Sequence, residues 1–222
     1  SLGLVGSEMC IRDSYVTLII NSCLKLCYFP AKWKHAKVIG IKKPDKPPTS
    51  ISSYRPISLL SSFSKLLERV VLARINQHLL THEIIPTQQH GFRSNYSSVS
   101  QLHLLTNHIR NNLQSSCSTG MVLLDIEKAF DKVWHKGLLF KLIKISAPRY
   151  LVKMIDSFLY QRTFQVSVQK SLSSIQTARF GVPQGAVLSP TLYNIFTYDI
   201  PFTDDCKTAL FADDTAFFTS SR

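Results

Sequence analysis

The chain has 222 residues, 45% of them hydrophobic and 18% charged, an ordinary globular balance with enough apolar material for a core. No apolar run approaches the roughly 18 residues of a membrane-spanning helix. Its five cysteines show no CxxC pair or Cys/His ligand spacing, so neither a disulfide scaffold nor a zinc site is indicated, and a reducing compartment fits. The formal charge of +12 is uneven: residues 15–119 carry 13 basic and 3 acidic side chains, whereas residues 120–222 carry 12 and 9. The first half thus reads as a surface facing a polyanion or as solvated lysines, and most carboxylates fall in the second half.

In chain order, residues 1–14 look foreign. Met9-Cys10-Ile11-Arg12-Asp13 back-translates to a transposase-adapter end used in sequencing libraries, so this stretch is set aside from fold reasoning. Apolar spacing predicts a helix over 15–29, stopped by Pro30. Lys37 to Ile41 reads as a short strand, followed by a Pro/Lys/Ser loop from Lys42 to Ser53. Phe63, Leu66, Leu67, Val70, Val71 and Ile75 mark an amphipathic helix with Ser61 and Ser62 as caps. After a turn-rich stretch from His90 to Ser98, a helix is expected over 100–113. Met121 to Ile126 reads as a buried strand. Helices follow around Leu138 and from Leu151 to Tyr160, then a hairpin of Phe164–Val168 with Ile175–Phe180. Pro190 opens a further helix at a position where its missing N–H costs little. Ala209 to Phe218 is strand, two aspartates, strand. The fold class is α+β, with a small, mostly antiparallel sheet.

Asp213 and Asp214 at a hairpin tip are ordinary turn residues unless a cation offsets their repulsion. Asp125, at the end of the strand MVLLDI, is a helix cap or a third carboxylate. Three such groups could hold two Mg²⁺ ions roughly 3.5–4 Å apart, an arrangement suited to phosphoryl transfer. GVPQGAVLSP (Gly181 to Pro190) is a glycine-flanked loop leading into a helix, where backbone can approach a ligand. Arg55 and Lys42/Lys43 lie in the basic half, either as solvated charge or as cations for a triphosphate.

Taken together, YRPISLLSSFSKLLE, HGFR, LDIEKAFDKVWH, GVPQGAVLSPTLYNIF and FADD, in that order, resemble the reverse transcriptases of non-LTR retrotransposons, the jockey-like elements of animals above all. The resemblance runs from about Trp33 to Phe218. It implies the fingers and palm of a right-hand polymerase, with fingers over 15–119 and a partial palm over 120–222. It matches Asp125, Asp213 and Asp214 to catalytic, metal-binding aspartates, joined by the carbonyl of Ile126, with two Mg²⁺ ions that Mn²⁺ can replace. Phe130 matches the aromatic under the incoming sugar, Gln184 a glutamine contacting nucleotide and template, and Arg55 and Lys43 the cations that hold the triphosphate. The implied partners are an RNA template, a DNA primer and a dNTP, with no membrane, and the family acts in the nucleus. Asp131 and Glu127 read as local structural charges, Trp134 and Phe92 as core aromatics.

The family pattern continues past FADD into further palm strands, a lysine motif and a thumb, none of which occurs in these residues. The expectation is therefore a polymerase cut in mid-domain, inactive or nearly so alone. Two other readings stay open: a two-metal nuclease, and an RNA-binding relic without catalysis, which the basic first half would serve.

Overall fold

A computed structural model describes residues 3–221 except Lys170 and Asp204, with side chains from Asp13 onward. Of the stretch read as foreign, Ser1 and Leu2 lie outside the described residues, and Gly3 begins helix α1 (Gly3–Leu26). That helix stops three residues short of the expected end, where Cys27 turns to φ +50° ahead of Pro30. A single turn, α2 (Ala31–Lys34), follows, and then strand β1 (Ala36–Lys42).

The stretch after Lys42 is a loop only as far as Ser53. Tyr54–Leu59 forms β2, antiparallel to β1, a strand that sequence reading missed because of Pro56. Gly40 pairs with Pro56 and Val38 with Ser58. Ser58 turns its N–H outward, donating at 2.7 Å to the carbonyl of Gln184. Pro56 has the same parity, so its missing N–H falls on the outer edge and costs no ladder bond.

Helix α3 (Ser62–Thr81) is headed by Ser61, whose side chain makes no capping bond, contrary to expectation. Helix α4 (Ser98–Gln114) starts two residues early because Ser97 and Ser100 cap each other reciprocally. Strand β3 (Ser118–Leu124) corrects a second expectation. It is the edge strand of a three-stranded sheet, and Val122 and Leu123 are 59% and 70% exposed rather than buried. A continuous apolar run signals a strand but not which of its faces is covered.

Helices α5 (His135–Lys144) and α6 (Arg149–Leu159) precede β4 (Arg162–Val168), β5 (Ser171–Leu172) and β6 (Gln176–Ala178). Helix α7 (Ser189–Thr197) leads to β7 (Lys207–Phe211) and β8 (Asp214–Ser221). β4 runs parallel to β1, with Ala36 beside Phe164 and Val38 beside Val166. One sheet therefore takes strands from both sides of residue 119, in the order β2-β1-β4-β5 with β6 on β4. The other has the order β3-β8-β7.

The main core is helical. Leu67 and Val71 of α3, Leu138 and Leu142 of α5, Met154 and Phe158 of α6, and Leu192 and Ile195 of α7 are all buried in it. The Phe29 and Phe158 rings meet edge to face with centroids 5.1 Å apart. Trp134, expected in the core, is 55% exposed and lies across Gly137, where an added Cβ would come within 2.5 Å of its ring. A smaller core of Ala209, Ala216 and Phe218 sits under β7 and β8, with Leu105 of α4 packed on it. Among the described residues no helix is long and apolar enough to cross a membrane, and Cys23, Cys27, Cys117 and Cys206 are free thiols.

Among the described residues Glu68 is a charged side chain with no exposed surface. Glu68 of α3 accepts from Ser64 Oγ at 2.7 Å and from the backbone N–H groups of Val187 and Leu188 at 2.6 and 3.2 Å. It thereby ties α3 to the entry of α7. Burial lowers the Arg162 guanidinium to about 10, and the Glu68 charge works against that shift. Glu68→Leu strands both N–H donors and is expected to cost about 1–3 kcal/mol for each in chemical denaturation. Phe158→Ala, which empties the aromatic centre of the helical core, is expected to cost about 3–5 kcal/mol in the same measurement.

Candidate active site

Sheet register brings the carboxylates together. β3 and β8 are antiparallel, with Leu124 opposite Thr215, so the next step along each strand places Asp125 across from Asp214. Phe211 pairs with Asp214, leaving Ala212 and Asp213 as the two-residue turn between β7 and β8. Three aspartates thus occupy one end of the sheet, although β3 lies far in sequence from the β7–β8 hairpin that carries the other two. The Asp214 carboxyl is raised above its usual range, by partial desolvation first and then by the charges of Asp213 and Asp125. None of the three makes an ion pair among the described residues.

This donor set suits a hard divalent cation: clustered carboxylate oxygens with no protein cation to balance them. Among the described residues no three His, Cys, Asp or Glu side chains stand close enough to form a finished metal cage. The carboxylates line a wall, and Mg²⁺ characteristically takes one or two carboxylates and completes its shell with water and substrate phosphate.

The wall belongs to a cleft of about 1750 Å³ that holds the eight residues the resemblance matches to metal and nucleotide binding: Asp125, Ile126, Asp213, Asp214, Lys43, Arg55, Phe130 and Gln184. Its lining draws Asp125, Ile126, Asp213 and Asp214 from the β3-β8-β7 sheet and its turn, and Lys43 and Arg55 from the β1–β2 strands and their loop. Arg55 sits on exposed β2, paired with Ile41 of β1. Lys43 follows β1, its N–H donating to Ser53 O at 2.7 Å. Neither side chain is ion-paired among the described residues, so both cations are available to an anion in the cleft.

Phe130 also lines the cleft, half-buried, its ring stacked on Tyr193 at 5.0 Å and met edge-on by Phe92 at 5.9 Å. Phe92 is accordingly not a core residue: it is 51% exposed and stands at φ +59°. Tyr193 is buried, and its hydroxyl is pushed up to about 12 by burial and then by Asp213. It therefore stays protonated beside the aspartate turn. Glu127 is exposed and near Lys128 and Lys132 at 3.8 and 3.9 Å, a local surface charge as expected.

Gln184 is held by its backbone. Its carbonyl accepts from Ser58 N–H on β2, while its side-chain amide reaches Asp131 Oδ1 at 3.5 Å, a long contact. The flanking glycines are required by geometry. Gly185 has φ +110°, and a Cβ there would lie 2.7 Å from Ser58 O; Gly181 has φ +83°, and a Cβ would meet Asp131 O at 2.7 Å. The N–H groups of Gly181 and Val182 donate at 2.8 Å to the carbonyls of Val133 and Phe130. The loop is thus pinned to β2 on one side and to the Phe130 segment on the other.

Three residues with roles here escaped sequence reading. Glu68 shares a helix face with buried Ser64, Val71 and Ile75, and a carboxylate at a core-facing position was the signal that could have exposed it. Tyr193 reads as one more apolar residue of α7. Gln89, next to the quoted HGFR, sits in a turn-rich stretch whose polarity suggests solvent, yet it is 3% exposed.

Residues 41–222 match the family described as reverse transcriptase (RNA-dependent DNA polymerase), whose members generally use divalent metal ions. The chain is 44% identical over 217 residues to the probable RNA-directed DNA polymerase from transposon BS of Drosophila melanogaster, covering 94% of this chain and 24% of that protein. It is 42% identical, with the same coverage, to the RNA-directed DNA polymerase from mobile element jockey of the same fly. The chain therefore spans about a quarter of the length of these curated relatives. Among solved structures, apo telomerase from Candida tropicalis superposes with a TM-score of 0.58 at 12% identity, over 85% of this chain and 40% of that one. At that identity the likeness speaks for the fold, an α+β fingers-and-palm arrangement. The chain belongs to the reverse transcriptase (RNA-dependent DNA polymerase) family.

Proposed function

We propose that this chain carries the nucleotidyl-transfer centre of an RNA-directed DNA polymerase. The observation that supports this best is that one cleft is lined by three carboxylates from one sheet and by Lys43 and Arg55 from the other sheet's β1–β2 hairpin. Residues 15–119 supply the fingers, together with the strands β4 to β6 that join the β1–β2 sheet, and the rest of 120–222 supplies palm.

In this reading Asp125, Asp213, Asp214 and the carbonyl of Ile126 hold two Mg²⁺ ions, with Mn²⁺ able to substitute. When bound, the ions supply charge neutralisation and activation of the attacking hydroxyl. Lys43 and Arg55 take the triphosphate of a dNTP, Arg55 by its planar fork. Gln184, on its pinned loop, meets nucleotide and template, a paired RNA strand directing the choice. The 3′-hydroxyl oxygen of a DNA primer forms a bond to the α-phosphorus, the bond from that phosphorus to the β-phosphate bridging oxygen breaks, and pyrophosphate leaves. Phe130 stands under the sugar, and its contacts with Tyr193 and Phe92 prevent it from swinging aside to admit a 2′-hydroxyl.

The test is primer extension on an RNA template by the longest natural polypeptide that contains these residues. Asp213→Asn is expected to abolish incorporation while salt-sensitive RNA binding survives within about twofold, since the neutralised group faces cations and not phosphate. RNA binding with no incorporation in the parent protein would favour a non-catalytic RNA-binding role, and strand cutting without templated addition a nuclease. Phe130→Ala is expected to raise ribonucleotide incorporation relative to dNTP by about 10–100-fold, the scale of one lost steric contact; unchanged selectivity would remove Phe130 from that role.

A further inference from the structure

The turn that carries the aspartates is gripped from outside its own hairpin. Ala212 stands at φ +59°, a left-handed conformation that a residue with a Cβ adopts only when its surroundings hold it there. Its N–H donates to Gln89 Oε1 at 3.0 Å, and its carbonyl accepts from Gln89 Nε2 at 3.3 Å. The same Oε1 accepts from Gly91 N–H at 2.8 Å. One buried amide therefore satisfies both backbone groups of the turn residue before Asp213.

The segment bearing Gln89 is itself fixed. It lies parallel to β7, with His90 N–H donating to Leu210 O at 2.9 Å and Leu210 N–H to Gln88 O at 3.0 Å. Asn194 of α7 donates to Gly91 O at 3.0 Å in a buried bond. Backbone meets backbone so closely that a Cβ on Gly91 would lie 2.1 Å from Ala212 N. Glutamine suits the grip because its planar amide offers an acceptor and a donor together, the complement of a peptide unit. Leucine offers neither, and glutamate offers only acceptors.

We propose that Gln89 is a positioning residue for the catalytic carboxylates: by clamping Ala212 it sets the direction of Asp213 and Asp214 against their mutual repulsion and that of Asp125. The clamp stands on the geometry alone, while its consequence for rate rests on the polymerase reading above. Without the clamp Ala212 relaxes toward right-handed backbone, and the aspartates turn apart. A hard cation needing near-ideal oxygen geometry is sensitive to such a displacement.

Two measurements on the longest natural polypeptide containing these residues test this. In metal-free protein, Gln89→Leu is expected to speed hydrogen exchange at the Ala212 amide by about tenfold or more, with the Leu210 amide, bonded to Gln88, as internal reference. In primer extension at saturating divalent metal, kcat falls about 100-fold while the dNTP KM stays within about threefold. Gln89→Glu, which keeps the acceptor and loses the donor, falls between the two, and it carries both measurements if the leucine variant does not fold. Unchanged Ala212 exchange overturns the clamp, as does a rate loss no larger than the loss of folded protein by circular dichroism. A parent protein that incorporates nothing sinks the polymerase reading instead, and the exchange result still decides the clamp.

Discussion

Like charges at the end of a small sheet are the constraint on which the rest of this structure depends. The Asp214 carboxyl shows the strain of this crowding, raised by desolvation first and then by the charges of Asp213 and Asp125. Free in water, such groups would separate. Here each is carried by fixed backbone: Asp125 by the register of β3 on β8, Asp214 by its pairing with Phe211 in the β7–β8 ladder, and Asp213 by a turn clamped from the side. The fold thereby holds in place a cluster of carboxylates that a cation would neutralise, with no protein cation paired to any of the three among the described residues.

The β1–β2 part of the cleft is built with comparable economy. β2 is an edge strand, and an edge strand has a free row of backbone groups. This one uses Ser58 N–H to hold the Gln184 carbonyl, so the strand that presents Arg55 also positions the loop that presents Gln184. Glu68 secures the far end of that loop from within the helical core. Cations, glutamine loop and core helix are thus mechanically connected, and a displacement of α3 would be felt at Gln184 before it was felt at the aspartates.

Much of this was legible in the sequence because motif residues announce chemistry. All eight residues singled out line one cleft, and helices α5 to α7 and the FADD hairpin fall where periodicity and turn residues put them. What stayed hidden depends on partners distant in sequence. β2 was obscured by Pro56, harmless only because its N–H side faces outward. β3 carried the signature of a buried strand and is an edge. The parallel pairing of β1 with β4 joins segments about 130 residues apart, and no local pattern encodes it. Phe92 and Trp134 look like core aromatics because bulk and apolarity suggest burial, whereas one packs edge-on to Phe130 at the cleft and the other covers a glycine.

The residues missed near the site share a property: they are polar and buried, and their work is done on backbone. Gln89, Glu68 and Asn194 all bind peptide groups, Glu68 taking the Ser64 hydroxyl as well. A sequence shows which side chains could meet a substrate, since that chemistry is written in residue type. It does not show which peptide groups need a partner, because every residue has the same backbone and only the fold decides which N–H is left without a strand. In a site built from a two-residue turn and a glycine-flanked loop, both poor in regular hydrogen bonding, those orphaned groups are many. The side chains that satisfy them therefore hold the backbone from which the clustered aspartates and Gln184 project, so an uncharged amide such as that of Gln89 is as much a part of this site's architecture as the carboxylates are.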